Sequence, residues 1–166
     1  MNKASATALH AIKLVVLDVD GVLTDGRLYY GAGGEELKVF HVRDGLGLKQ
    51  VMRIGLTVAV VSGRRTPAVD ARCSELGITL VEQGCENKVE ALERVCAQIG
   101  ASPHEVLCVI DDTLDLPLAR AVGFSVAVAD AHAAVRDVTD RVTITPGGRG
   151  AVREVCDWIL AAHGRT

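Results

Sequence analysis

The stretch KLVVLDVDG, residues 13–21, decides the fold class. It begins with a short apolar, β-branched run that ends at Asp18, and Asp20 and Gly21 follow directly. An apolar run of this length is typical of a strand that is buried on both faces of a parallel sheet. Parallel sheets bind ligands beyond the carboxyl ends of their strands. The aspartates at the end of this run are therefore the first candidates for a functional site.

Further apolar runs follow, and amphipathic segments separate them. The predicted strands cover residues 13–19, 56–62, 78–81, 105–110, 124–128 and 141–145. Helices are predicted over 66–77, where Thr66 is placed to cap the helix and Pro67 to occupy its first position, over 86–100 and over about 150–162. Alternation of strands and helices predicts an α/β protein with a Rossmann-like, doubly wound parallel sheet.

One segment departs from this alternation. Residues 27–40 contain two short strand-like stretches around Gly31-Ala32-Gly33-Gly34, which predicts a β-hairpin inserted after the first strand. No repeat, low-complexity tract or linker divides the 166 residues, and this length suits one domain. We therefore expect a single domain over residues 1–166, ending in a helix and tail at about 147–166.

The composition excludes several classes of protein. The net charge is −3, from 18 basic and 21 acidic residues without a Lys/Arg run, so nucleic-acid binding is not expected. No apolar run approaches the roughly 18 residues that span a bilayer, and no signal-peptide pattern opens the chain. The five cysteines lack a CxxC pair, which favours a reduced, cytoplasmic protein without a zinc site. Glycine-rich nucleotide-binding motifs are absent from the sequence.

Polar residues converge at the carboxyl ends of the predicted strands. Asp18 and Asp20 follow the first strand, Ser62 ends the second, and Asp111 follows the fourth; Lys88 begins a helix after the third. Two carboxylates about 4 Å apart repel by about 4 kcal/mol at an effective dielectric constant near 20. A hard divalent cation removes that repulsion, and oxygen ligands favour Mg²⁺. A lysine in the first turn of a helix opposes the helix dipole unless an anion binds there.

Each of these features alone has an ordinary structural explanation. Two aspartates separated by one residue are most often on a surface loop, Ser62 alone fits a turn, and Lys88 alone fits a solvated helix end. Asp111 and Asp112 alone fit a turn followed by a helix cap. The joint placement of these residues, each at the carboxyl end of a strand, favours a site for magnesium and a phosphorylated substrate.

The motifs DVDGVLTDG (18–26), SGR (62–64), Lys88 and IDDTLD (110–115) resemble, in order and spacing, the four motifs of the haloacid dehalogenase superfamily of phosphotransferases. More narrowly, DGRLYYGAGGEELKVFHVRDGLGLK (25–49) and later stretches resemble the phosphatase family that acts on 3-deoxy-D-manno-octulosonate 8-phosphate. That resemblance implies a Mg²⁺-dependent phosphatase of lipopolysaccharide precursor synthesis, which releases the free sugar acid and phosphate through an aspartyl-phosphate.

The resemblance also implies roles for single residues. Asp18 would be the nucleophile and a metal ligand, and Asp111 would complete the metal site. Asp20 would be the general acid and base, contact the substrate, and offer its backbone carbonyl to the metal. Ser62 would bind the phosphoryl group, and Lys88 would neutralise its charge. The residues that would support the metal are Asp112 and Asp115. Those that would bind the sugar acid phosphate are Asp20, His41, Val42, Arg43, Asp44, Gly45, Lys49, Arg64, Arg72 and Lys88.

The chain has no room for the large cap domain that closes the site in many relatives. The resemblance implies instead a homotetramer, in which the hairpin and C-terminal tail of a neighbouring subunit close the pocket. Tyr29, Tyr30 and Leu37 fit an interface, although a hairpin packed on its own sheet is an alternative. The GGRGAV turn (147–152) would be the tail element, with Arg149 near the substrate.

Two departures from the family pattern keep other readings open. Ile110 stands where glycine is usual, which would shift the metal loop or narrow the phosphate pocket, and His41 stands where asparagine is usual. A weakly active or non-catalytic homologue is therefore one alternative, and a phosphatase of a nine-carbon ulosonate 9-phosphate is another, which Arg64 disfavours. A signalling receiver domain is a third, but its phosphorylated aspartate follows the third strand, where this chain has Glu82 and Gln83.

Overall fold

The computed structural model describes residues 3–165. The strands are β1 Leu14–Leu17, β2 Tyr29–Tyr30, β3 Glu36–Leu37, β4 Thr57–Ser62, β5 Leu80–Gln83, β6 Val106–Ile110, β7 Phe124–Ala127 and β8 Arg141–Val142. The α-helices are α1 Lys3–His10, α2 Val42–Arg53, α3 Pro67–Leu76, α4 Lys88–Ile99, α5 Leu116–Ala121, α6 Ala133–Arg136 and α7 Ala151–Ala162. The predicted α/β fold with a doubly wound parallel sheet is confirmed.

The main sheet has six parallel strands in the order β5-β4-β1-β6-β7-β8. The chain runs outward from β1 to β5 and then returns to β6 on the other side of β1. Leu14 is in register with Thr57 on one neighbour and Val106 on the other. The strand order thus reverses beside β1, and this is where doubly wound sheets bind their ligands.

Burial and local capping explain why these segments form their elements. The four residues of β1 are at most 1% exposed, as expected for a central strand covered by helices on both faces. The hydroxyl of Thr66 accepts a hydrogen bond from the amide of Ala68 at 3.4 Å, and Pro67 begins α3 as predicted. Gly100 ends α4 in the left-handed conformation with φ of +67°, which glycine adopts without steric cost.

Several elements differ from the sequence prediction. The last strand covers only residues 141–142 of the predicted 141–145, because the amides of Ile144 and Thr145 donate to the Glu154 carboxylate instead of continuing a ladder. Helices α1, α2, α5 and α6 were not predicted. The glycines of α2 conceal its helical pattern, yet Gly47 lets the helix approach α7 so closely that a Cβ would lie 3.0 Å from the Cβ of Cys156.

The predicted hairpin is present as the antiparallel pair β2 and β3, in which Tyr29 lies opposite Leu37. It forms a sheet of its own beside the carboxyl end of the main sheet. Tyr30 and Leu37 are 61% and 55% exposed. The hairpin therefore does not bury these side chains against its own sheet. Among residues 3–165, no helix combines the length and apolar character needed to cross a bilayer.

Candidate active site

The loop that follows β1 brings its first aspartate to the edge of the sheet. The amide of Asp18 donates to the carbonyl of Val109 on β6 at 3.2 Å, and its carboxylate accepts from the amide of Val19 at 2.7 Å. Gly21 follows with φ of +82°, and a Cβ there would lie 2.0 Å from a carboxylate oxygen of Asp111. Glycine is required at this position, because its missing side chain leaves the space that the Asp111 carboxylate occupies.

Three carboxylates and one lysine form the centre of the site. Oxygen atoms of Asp18, Asp111 and Asp115 lie within 4.8 Å of one another. The Nζ atom of Lys88 lies 3.0 Å from Asp18 Oδ2 and 2.7 Å from Asp115 Oδ1. Lys88 is the first residue of α4, where the side chain of Asn87 caps the helix by accepting from the amide of Val89 at 3.0 Å. The predicted meeting of Asp18, Asp111 and Lys88 is therefore observed.

Burial and mutual repulsion perturb the titration of this cluster. Burial raises the pKa of Asp18 to about 7, the Asp115 charge acts in the same direction, and Lys88 opposes both. The pKa of Asp111 is also raised to about 7, by burial and then by the charges of Asp115 and Asp112. Burial alone would lower the pKa of Lys88, but the attraction of Asp18 and Asp115 outweighs it and the pKa is raised.

The donor set of the cluster fits a hard divalent cation. Three carboxylates face one ammonium group, so an excess of negative charge remains that a cation would neutralise. The donors are all oxygens and they border an open cleft, which leaves space for water and phosphate ligands, as Mg²⁺ prefers. Asp18, Asp111 and Asp115 therefore suit Mg²⁺ better than zinc, which favours nitrogen and sulfur ligands.

The cleft over this cluster has a volume of about 430 Å³. Its lining residues are Asp18, Asp20, Gly26, Ser62, Gly63, Arg64, Cys85, Glu86, Lys88, Asp111, Asp112, Leu114 and Asp115. Ser62 is 2% exposed at the end of β4, and its carbonyl accepts from the amide of Cys85 at 3.0 Å. The side chain of Asp112 caps the turn by accepting from the amide of Thr113 at 2.5 Å, and it also accepts from the hydroxyl of Thr113 at 3.1 Å. The cleft thus unites the predicted catalytic residues.

The carboxylate of Asp20 is paired with two cations at the edge of the cleft. It forms an ion pair with Lys38 of the hairpin segment, and its Oδ2 lies 3.7 Å from Nε of Arg64. Glu36 completes this group, because its carboxylate lies 2.9 Å from both Lys38 Nζ and an Arg64 nitrogen. Sequence reasoning missed Glu36 and Lys38. The sequence did contain a signal for this pair. Glu36 and Lys38 have opposite charges, and residues two apart on a strand lie on the same face.

A second group of predicted residues lies outside the cleft of its own chain. These residues are His41, Val42, Arg43, Asp44, Gly45, Lys49 and Arg72. Asp44 is 1% exposed and accepts from the amide of Arg153 at 2.7 Å, and burial raises its pKa. Arg72 donates to the carbonyl of His41 at 3.3 Å and pairs with Glu75 at 2.8 Å. Within one chain, Asp44 connects α2 to α7, and Arg72 connects α3 to the residue that precedes α2.

Ile110 lies in the core of the molecule. It is fully buried on β6, in register with Ala127, and is not among the residues that line the cleft. The next residue, Asp111, still reaches the carboxylate cluster. The narrowing of the phosphate pocket by Ile110 is therefore not observed, because the side chain belongs to the buried core and does not line the cleft. His41 likewise stands outside the cleft at the start of α2.

The fold and the cleft define a class of protein. A family model described as haloacid dehalogenase-like hydrolase matches residues 77–154, which include the helix that begins at Lys88 and the strand that leads to Asp111. A receiver domain lacks support in the structure, since β5, the third strand of the main sheet in chain order, ends at Gln83 without an aspartate.

Individual relatives narrow this class. A protein of Escherichia coli (strain K12) named 3-deoxy-D-manno-octulosonate 8-phosphate phosphatase KdsC is 48% identical over 93% of this chain and 82% of its own length. A crystal structure of the phosphatase of that name from Yersinia pestis superposes with a TM-score of 0.97 at 42% identity, covering 99% of this chain and 89% of that one. The chain belongs to the 3-deoxy-D-manno-octulosonate 8-phosphate phosphatase family of the haloacid dehalogenase-like hydrolases.

One further structure shows what a family member binds. The phosphatase of Moraxella catarrhalis was crystallised with a magnesium ion, a phosphate ion and a molecule of the sugar acid KDO. It is 38% identical to this chain with a TM-score of 0.94, over 98% of this chain and 93% of that one.

Proposed function

We propose that this protein hydrolyses 3-deoxy-D-manno-octulosonate 8-phosphate to the sugar acid and inorganic phosphate, with Mg²⁺ as cofactor. The observation that carries the proposal is the cluster of Asp18, Asp111 and Asp115 around Lys88 at the point where the strand order reverses. Family membership supports the reaction, and the ligands of the Moraxella catarrhalis phosphatase support the substrate and the metal. The reaction would belong to lipopolysaccharide precursor synthesis.

The chemistry would be divided between two aspartates. A carboxylate oxygen of Asp18 attacks phosphorus and forms an aspartyl-phosphate, while Asp20 protonates the departing sugar oxygen. Asp20 then removes a proton from the water molecule that attacks the phosphorus atom of the aspartyl-phosphate. This attack releases inorganic phosphate and restores Asp18. Dividing hydrolysis into two steps allows the same carboxyl group to serve first as acid and then as base.

Charge neutralisation would supply most of the rate acceleration. Asp18, Asp111 and the backbone carbonyl of Asp20 would hold the magnesium ion, with support from Asp115 and from Asp112 through its turn. When bound, the ion offsets the negative charge of the phosphoryl oxygens. The ammonium group of Lys88 would bind the same oxygens, and the hydroxyl of Ser62 would donate a hydrogen bond to them.

Recognition of the sugar acid would use Arg64 and residues beyond the cleft of one chain. Guanidinium groups pair with carboxylates through two parallel hydrogen bonds, and Arg64 already lies at the rim. His41 to Gly45, Lys49 and Arg72 would contribute from outside. A homotetramer in which a neighbouring subunit closes the pocket would bring such residues to the substrate, and the exposure of Tyr30 and Leu37 supports an interface on the hairpin.

The proposed location is the cytoplasm, and the cysteines support it. Cys73, Cys96, Cys108 and Cys156 are buried free thiols, and Cys85 is a free thiol that lines the cleft. Burial raises the pKa of Cys73 to about 11, so this thiol is protonated at neutral pH. Proteins of reducing compartments retain such thiols without disulfides.

Phosphate release from the sugar acid phosphate tests the proposal. We expect Mg²⁺-dependent release by the wild type, and loss of at least about 10³-fold in Asp18→Asn, because the amide cannot act as the nucleophile. Asp157→Asn is the matched control, since Asp157 pairs with Arg153 on the surface of α7. Equal turnover of the nine-carbon 9-phosphate or of generic phosphate esters would contradict the proposed substrate. Full activity of Asp18→Asn would contradict the mechanism.

A further inference from the structure

Lys38 is a buried lysine in an otherwise exposed segment. Its side chain is 2% exposed, whereas the flanking Leu37 and Val39 are 55% and 60% exposed. Lysine is almost never fully buried unless its charge is paired, because removing an ammonium group from water is costly. The hairpin therefore keeps the apolar neighbours outside and places the lysine inside, which requires a compensating interaction.

Two carboxylates provide that interaction. Nζ of Lys38 contacts Asp20 Oδ1 and lies 2.9 Å from Glu36 Oε1. Arg64 closes the group through Glu36 Oε2 at 2.9 Å and Asp20 Oδ2 at 3.7 Å. Two cations thus balance two anions, and each carboxylate is held by both cations. Among the described residues, Lys38 makes the shorter contact with the Asp20 carboxylate, and Arg64 makes the longer one.

We propose that Lys38 is a positioning residue that holds the Asp20 carboxyl group at the hairpin side of the cleft, ready to protonate the leaving oxygen. The inference rests on the proposed function. Without the ammonium group, the carboxylates of Asp20 and Glu36 would share only the guanidinium of Arg64, which lies close to Glu36 but 3.7 Å from Asp20. Their repulsion would turn Asp20 away from the position where the sugar oxygen departs.

The bonds that form and break in the first chemical step suggest a measurement that separates a misplaced Asp20 from a general loss of structure. The bond between Asp18 oxygen and phosphorus forms, the bond between phosphorus and sugar oxygen breaks, and a proton that Asp20 takes up from solvent before this step passes to that oxygen. An alkyl oxygen needs this proton, whereas p-nitrophenolate is stable enough to leave without it. Misplacing Asp20 should therefore slow the cleavage of a sugar phosphate more than that of p-nitrophenyl phosphate.

The test compares kcat/KM for these two esters, because that ratio reports the steps up to departure of the alcohol. In Lys38→Met we expect a fall of about 10- to 100-fold for the sugar acid phosphate and of less than about threefold for p-nitrophenyl phosphate. Lys38→Arg should recover most of the loss, since it keeps the charge. Lys13→Met is the matched control, because Lys13 pairs with Glu105 at 2.6 Å just before β1, away from the cleft.

Equal losses with both esters, or no loss with either, would overturn the inference. If Lys38→Met does not fold, Lys38→Gln replaces it, with a loss in the same direction expected because the amide carries no charge. A crystal structure of the variant gives a readout other than activity: we expect the Asp20 carboxylate to leave its present position, and an unmoved Asp20 would overturn the inference. Failure of the proposed function is distinguishable, because the wild type would then cleave p-nitrophenyl phosphate but not the sugar acid phosphate.

Discussion

Asp111 and Asp112 are adjacent in the chain but have opposite electrostatic environments. Asp111 lies beside Gly21 in the buried cluster, and burial together with Asp115 raises its pKa to about 7. Asp112 faces solvent, and hydrogen bonds from Thr113 lower its pKa. One carboxylate is thus costly to ionise in the folded chain, while the other is stabilised as an anion. A bound cation would remove the first cost and would barely affect the second.

This contrast predicts the pH dependence of stability without metal. The folded-state pKa of Asp111 lies above the unfolded value of 3.8, so the folded chain binds the proton more tightly between about pH 4 and pH 7. The stability contributed by the proton is present below that range and is lost as the pH rises through about 7. We therefore expect Asp111→Asn to gain about 1–3 kcal/mol in unfolding free energy relative to wild type between about pH 5 and pH 8.

Urea unfolding in the presence of a chelator measures this difference. Asp157→Asn is the matched control and should show a difference from wild type that does not change over this pH range, since Asp157 pairs with Arg153 on α7, away from the cluster. Added Mg²⁺ should stabilise the wild type more at about pH 8 than at about pH 5, because protons compete for its ligands. A flat difference for Asp111→Asn would contradict the electrostatic description of the cluster.

Ile110 leads to a second prediction at the scale of single residues. Its side chain is fully buried on β6 and contributes to the core. Ile110→Ala should lower the unfolding free energy by about 2–5 kcal/mol and Ile110→Val by about 0.5–1.5 kcal/mol. We expect neither variant to raise kcat, because the side chain does not line the cleft. Increased turnover in the folded Ile110→Ala variant would instead support the idea that isoleucine impairs the site.

Two loops meet at the carboxyl edge of the sheet, and glycine makes their contact possible. The catalytic loop is residues 18–26, and the tail loop is residues 147–150. A Cβ at Gly147 would lie 1.7 Å from the carbonyl oxygen of Gly21, and the amide of Gly147 donates to Asp130 at 2.9 Å. The amide of Gly148 donates to the carbonyl of Val22 at 2.9 Å. The tail loop therefore packs against the backbone of the catalytic loop and helps to fix its position.

Gly147→Ala should displace the catalytic loop. The added methyl group meets backbone atoms, which cannot move aside as a flexible side chain could. We expect kcat to fall about 10- to 100-fold, since a misplacement of about 1 Å at a reacting group has effects of this size. Gly164→Ala is the control. Its φ of +67° makes alanine unfavourable, but among the described residues no other atom lies within 4 Å of the added Cβ.

The control should lose stability and keep its activity. Steady-state kinetics and thermal unfolding of both variants separate the two effects. Full kcat in a stably folded Gly147→Ala protein would show that the tail loop does not position the catalytic loop.

The elements that follow local rules were predictable from the sequence. The strand core of residues 14–17 and the helix begun by Thr66 and Pro67 depend on hydrophobic pattern and capping, which are visible in the sequence. The convergence of Asp18 with Asp111 was predictable because carboxyl ends of parallel strands share an edge. Helix α2 was not, because packing of Gly47 against α7 stabilises it. The ion group around Lys38 depends on how the hairpin folds back, which short-range patterns do not specify.

At the scale of the whole molecule, two groups of exposed apolar side chains can be compared, and Val42, Leu46 and Leu114 are exposed elsewhere. The hairpin region exposes Leu28, Tyr29, Tyr30, Leu37 and Val39, and the region around edge strand β8 exposes Val138, Val142 and Ile144. The hairpin residues follow the catalytic loop, whereas Ile144 lies between β8 and α7. An interface that closes the cleft would use the hairpin, and the β8 region serves as an internal comparison.

Leu37→Lys should therefore dissociate the proposed tetramer, because a charge at a desolvated apolar contact is strongly unfavourable. Ile144→Lys, at a residue 90% exposed, should leave the assembly unchanged. Sedimentation velocity at several protein concentrations measures the mass of each. If a neighbouring subunit closes the cleft, Leu37→Lys should also raise KM for the sugar acid phosphate by at least about tenfold, as expected when contacts that bind substrate are lost. A tetramer that persists in Leu37→Lys would contradict the hairpin interface, and a monomer with unchanged KM would contradict closure by a neighbour.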